Sequence, residues 1–177
     1  RWADVDVRAC LLIFLLGFGA MSRADTIKYV DASISASGNG SSWTTAWKTL
    51  GEALTAARAD EEAAATWTIR VAQGSYCPGT TQEATFLIDV DSLQIYGGYA
   101  GLQGGSTPDS RNIGTFETIL TDLVPFTAPP VHVYHVVTID DDIDDVDANG
   151  IPTTILDGVT IKLGRANGSG LNAGGGG

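Results

Sequence analysis

The apolar and polar positions of this chain change rhythm twice. Residues 9–21, ACLLIFLLGFGAM, are an unbroken apolar run. Further on, Trp43, Trp47, Leu50, Leu54 and Ala57 recur at steps of four, three, four and three, which is the stripe of one helix face. This spacing predicts an amphipathic helix over residues 45–59, with Thr44 or Thr45 as its N-cap. Asp60, Glu61 and Glu62 end the stripe. The rest of the chain is punctuated by short β-branched runs bounded by Gly, Asn, Asp and Pro, the pattern of strands. They are IKYVD (27–31), TIRVA (68–72), LQIYG (93–97), TILTDL (118–123), HVVTI (135–139), TTIL (153–156) and GVTIKL (158–163).

Strand starts at 68, 93 and 118 lie 25 residues apart. An interval of this size predicts a solenoid, in which each turn of chain buries its apolar side against the next. A β-sandwich is the alternative, but its hairpin signals would be more closely spaced.

The first apolar run is too short to span a bilayer, which needs about 20 residues. Arg8 precedes it and Ser22-Arg23-Ala24 follows, with small residues placed for a cut before Asp25. This is the pattern of a secretory signal peptide, so residues 1–24 are expected to be removed and 25–177 to be the secreted or outer-surface domain, without a transmembrane helix. Cys10 leaves with the signal, and Cys77 is then the one remaining cysteine. No intrachain disulfide is expected, and packing must supply the stability. Five glycines in the last eight residues read as a turn cut short, and both ends of the chain suggest a fragment.

Charge narrows the partners. The whole chain carries −11, and residues 25–177, with seven basic and nineteen acidic side chains, carry −12. Such a surface repels a phosphate backbone, so nucleic acid is not an expected partner. It suits divalent cations, and a polyanionic substrate only where calcium bridges the two.

The densest charge lies in TIDDDIDDVDANG, residues 138–150. Asp145, Asp147 and Asn149 followed by Gly150 match the opening of an EF-hand-type loop and are the candidate calcium ligands. The twelfth loop position, where a bidentate acid belongs, is Leu156. The competing reading is a solvated acidic insertion. A calcium-dependent lyase site would combine clustered carboxylates with a basic proton acceptor. Asp89, Asp91, Asp122 and Asp157, with Arg70, Lys162 and Arg165, are available, but spacing does not stack them on one face. Asp157 before Gly158 is expected to bond local backbone at a turn. Alternation sends His132 and His135 to opposite faces of a strand, and a structural role is expected for both. No catalytic residue is assigned.

Taken in order, YVDASISASGNGSSWTTAWKTLGEAL, IRVAQGSYCP, LQIYGGYAG, YHVVTI and TTILDGVTIKLGRANGSGLNAGGGG resemble secreted bacterial proteins of the pectin-lyase-like superfamily with polymorphic-outer-membrane-type repeats. The resemblance covers most of residues 29–177. It implies an all-β solenoid, a right-handed parallel β-helix with an N-terminal amphipathic capping helix. That fold carries lyases, hydrolases, adhesins and passengers alike. The expectation is therefore a secreted or cell-surface protein interacting with extracellular polysaccharide or cell-envelope components. A polysaccharide lyase or glycoside hydrolase with its active site in downstream rungs is the alternative.

Overall fold

The computed structural model describes residues 25–60, 66–122, 132–140 and 154–165. Residues 1–24, expected above to be a signal peptide, together with Asp145, Asp147, Asn149 and the glycine-rich tail, lie outside these residues. Among the described residues there are nine strands: β1 (Asp25–Val30), β2 (Thr66–Ala72), β3 (Gly74–Tyr76), β4 (Phe86–Ile88), β5 (Leu93–Tyr99), β6 (Thr118–Thr121), β7 (Val137–Ile139), β8 (Ile155–Asp157) and β9 (Val159–Lys162). They form three sheets, ordered β1-β2-β5-β8, β3-β6-β9 and β4-β7. Every strand pair is parallel. From β2 onward the chain visits the first, second and third sheets in that order, repeats the cycle, and then enters the first and second again. The fold is thus all-β and mostly parallel, with one α-helix among the described residues.

The three sheets share a core. Alternation along β2 turns Trp67, Ile69 and Val71 inward. β5 adds Leu93 and Ile95, β4 adds Phe86 and Ile88, and β6 adds Leu120. Each large apolar side chain buried this way contributes roughly 1.5–3 kcal/mol. The Tyr76 ring also belongs to the core, and its hydroxyl donates to Ala72 O at 3.0 Å and accepts from Ala32 N at 3.2 Å. Burial pushes this phenol well above its ordinary pKa, so it stays neutral.

The helix is shorter than the apolar stripe predicts. α1 runs Leu50–Ala59, and its N-cap is Thr49 rather than Thr44 or Thr45. A reciprocal capping box decides this: Thr49 Oγ1 accepts from Glu52 N, and Glu52 Oε2 accepts from Thr49 N. Leu50, Ala53, Leu54 and Ala57 are buried, and α1 lies against β1, β2 and β4. The two tryptophans that seemed to continue its face have other roles. Trp43 begins a short 3-10 turn, Trp43–Thr45, and Trp47 forms a parallel bridge to Val30. Trp47 stacks on Trp67 with centroids 6.3 Å apart, and Lys28 Nζ sits 5.5–5.6 Å from both rings.

The 25-residue interval also divides differently. Leu93 pairs with Trp67 in the first sheet, as a repeat requires. Thr118 pairs with Gly74 and Val159 in the second sheet, so the second interval links two sheets and not two neighbours in one.

Candidate functional site

Two outward-facing surfaces gather polar and aromatic side chains. The first lies on the β1-β2-β5-β8 sheet, where Tyr29, Arg70, Tyr96 and Asp157 occupy one lateral row. Arg111 and Tyr99 join them from the β5–β6 connection and the end of β5. The guanidinium of Arg70 lies 5.9 Å from the Tyr29 ring and 5.5 Å from Tyr99. That of Arg111 lies 5.8 Å from Tyr99 and 5.3 Å from Tyr96. Rings and guanidinium groups therefore alternate. Each cation also has its own carboxylate, Arg70 Nη1 with Asp109 Oδ1 at 2.8 Å and Arg111 Nη2 with Asp157 Oδ2 at 2.6 Å. Trp43 Nε1 donates to the same Asp109 oxygen at 3.0 Å. Gly158, at φ +73°, makes room for this: a Cβ there would lie 2.6 Å from Arg111 Nη2. Asp157 thus reaches a side chain 46 residues away instead of the local turn backbone.

The second surface is a cleft of about 350 Å³ on the β4-β7 sheet, lined by Glu83, Thr85, Tyr134, His135, Val137 and Thr138. This is within the size range of small-molecule sites. Parallel pairing builds it. Phe86 and Ile88 turn into the core, which leaves Thr85 and Leu87 on the outer side. The register Phe86↔Val137 and Leu87↔Thr138 then sets Thr138 beside Thr85, with hydroxyls 2.9 Å apart. Tyr134 is held by two bonds to the segment before β4: its N–H donates to Gln82 O at 2.8 Å, and its hydroxyl to Gln82 Oε1 at 3.3 Å. Glu83 is exposed, and His135 is half-buried. Neither side chain has a hydrogen-bond or ion-pair partner among the described residues.

The remaining candidates are dispersed. Asp89 takes a bidentate contact from Arg58. Asp91 stands exposed in the turn before β5. Lys162 meets Glu117 at 3.2 Å, and Arg165 is exposed. Asp122 is fully buried, with Oδ2 2.6 Å from His132 Nδ1 and Oδ1 without a hydrogen-bond partner. The two histidines do not alternate along a strand, because β7 begins only at Val137. His132 is tied to Asp122, and His135 reaches the cleft. Among the described residues no three His, Cys, Asp or Glu side chains gather as a metal set. The twelfth position of the proposed calcium loop, Leu156, lies in β8 opposite Ile95 and packs on the core.

The chain matches no family model, no curated protein and no solved structure.

Function must therefore be argued from the two surfaces themselves. On the first, Arg70 and Arg111 each meet a carboxylate and both guanidinium groups lie beside the Tyr99 ring, so the charges are paired within the chain, although Arg70 Nε is buried without a hydrogen-bond partner among the described residues. In the cleft, a carboxylate, an imidazole, two hydroxyls and a phenol ring converge with hydrogen-bonding capacity unspent. Sequence reasoning reached His135 but missed Glu83, Thr85, Tyr134 and Thr138. Glu83, Thr85 and Tyr134 lie in turn-rich stretches with no motif, Thr138 lies in the HVVTI strand, and only pairing between strands 51 residues apart unites them.

Proposed function

We propose that this chain is a secreted or cell-surface right-handed parallel β-helix protein of the pectin-lyase-like kind, capped by α1, that holds extracellular or envelope carbohydrate in the β4-β7 cleft. The observation that carries the binding role is the cleft itself, with Glu83 and His135 beside the Tyr134 ring and without partners among the described residues. A sugar offers hydroxyls to the first two and an apolar C–H face to the ring. The cyclic visiting order of three parallel sheets supports a solenoid. The general handedness of parallel crossovers supports the right-handed form. Secretion rests on the sequence pattern of residues 1–24. Asp89, Asp122, Arg70 and Lys162 are each committed to separate partners, which favours binding over turnover for the described residues.

The test is a panel of neutral, basic and acidic oligosaccharides titrated into residues 25–177 by calorimetry, beside Tyr134→Ala, His135→Ala and Arg111→Ala. Binding weakened about tenfold by either cleft substitution and unaffected by Arg111→Ala is the expected result; each tenfold corresponds to about 1.4 kcal/mol. Binding lost only in Arg111→Ala would move the site to the first sheet. No binding to any member would refute the carbohydrate role. N-terminal sequencing of exported material should begin at or near Asp25.

A further inference from the structure

We infer that the cleft selects an amino sugar with a free, protonated amine, which Glu83 receives. This rests on the carbohydrate role proposed above and names the class of sugar. Among the described residues Glu83 is the only carboxylate lining the cleft, and none of them gives it a cationic partner. Among the described residues no lysine or arginine lines the cleft. The chain as a whole carries −11, so its field draws cations toward an open site and repels uronate chains. The contrast with the first sheet is direct, since Asp109 and Asp157 already hold guanidinium groups at 2.8 and 2.6 Å. Glu83 is the carboxylate with an empty place for an ammonium beside an aromatic ring and paired hydroxyls. Thr85 and Thr138 exchange one hydrogen bond and keep further donor and acceptor capacity for ring hydroxyls. Tyr134 and Val137 supply the apolar contact for a sugar face.

The experiment titrates residues 25–177 with short glucosamine oligomers and with their fully N-acetylated counterparts, in low-salt buffer near neutral pH. Glu83→Gln and Asp91→Asn are measured in parallel; Asp91 is an exposed carboxylate that does not line the cleft. An exposed charge pair corresponds to about a two- to fivefold preference for the free amine. That preference should disappear in Glu83→Gln and persist in Asp91→Asn. Equal loss in both variants would reduce the effect to general attraction by an acidic surface and overturn the inference. Acetylated oligomers binding as well as deacetylated ones would also overturn it while leaving the carbohydrate role intact. If neither oligomer binds, the inference falls, and the wider panel decides whether the carbohydrate role falls with it. An unchanged melting temperature for Glu83→Gln excludes misfolding as the cause of any loss.

Discussion

The outer face of the β1-β2-β5-β8 sheet and the cleft on the β4-β7 sheet use similar side chains for opposite ends. Both contain tyrosine and carboxylate. On the first sheet Arg70 and Arg111 are paired with Asp109 and Asp157 from within the chain, so the row Tyr29–Arg70–Tyr96–Asp157 staples four neighbouring strands and a connection together. In the cleft Glu83 and His135 have no partner among the described residues. A polar group satisfied internally stabilises the fold, and one left open near solvent is available to a ligand. Residue type alone does not distinguish the two surfaces; partnership does.

The largest effect expected from this contrast is at Tyr99. Its ring lies 5.5 and 5.8 Å from two guanidinium groups and 5.7 Å from the Trp43 ring. Tyr99→Ala should lower the unfolding free energy by about 2–3 kcal/mol, combining lost burial with lost cation–π contact. Tyr134→Ala should cost about 1 kcal/mol, both read by denaturant titration. Equal costs would break the distinction between staple and site. Next in size, Arg111→Ala should cost about 1–2 kcal/mol, since it removes two ring contacts, a bond to Gly97 O at 2.9 Å and a half-exposed ion pair. His135→Ala should stay within about 0.5 kcal/mol of the parent.

A third substitution sharpens the comparison by converting one surface toward the other. Asp109→Asn with Asp157→Asn leaves Arg70 and Arg111 without counter-ions. Stability should fall by about 1 kcal/mol or less, because both carboxylates are largely exposed. The double variant should also gain salt-sensitive retention on an acidic polysaccharide column that the parent lacks. Absence of any gain would show that the rings, not the carboxylates, occupy the guanidinium groups.

The smallest effect concerns a carboxylate partnered as fully as Asp109. Burial pushes the Glu52 pKa up, but hydrogen bonds from Ser37, Thr49 and Lys48 outweigh it and hold the group below its ordinary 4.5. A depressed folded-state pKa adds stability that is present above the unfolded value and lost as pH falls through the folded one. Glu52→Gln should therefore flatten the acid limb of the stability profile below about pH 4.5. Glu83→Gln should leave stability at neutral pH unchanged.

Legibility in the sequence followed the reach of each interaction. β2, β5 and β6 announce themselves through β-branched runs of several residues. β3 and β4 are three residues each, too short for a periodic signal, and went unforeseen. The helix was legible from Leu50, Leu54 and Ala57. Trp43 and Trp47 fell into the same rhythm by coincidence, while the local chemistry of Thr49 and Glu52 set the true boundary. Tyr29 and Arg70 could be placed on one side of their strands by alternation. That they sit beside each other depends on the parallel register Tyr29↔Arg70, which no local pattern encodes. The cleft was least legible, because its halves come from β7 and from the segments before β4 and β7, in distant parts of the chain.

Unequal connections between paired strands have a practical consequence. Trp67 and Leu93 are neighbours across a short excursion, and Tyr96 and Asp157 are neighbours across a much longer one, within the same sheet. Closing a longer loop costs only about 0.6 kcal/mol per doubling of its length. The corners between sheets are therefore natural insertion points for foreign sequence. Gly105 sits at such a corner, exposed, with no atom near the place a side chain would occupy. A peptide epitope spliced between Gly105 and Ser106 should be displayed to antibody while the parallel sheets keep their register, making the molecule a display scaffold.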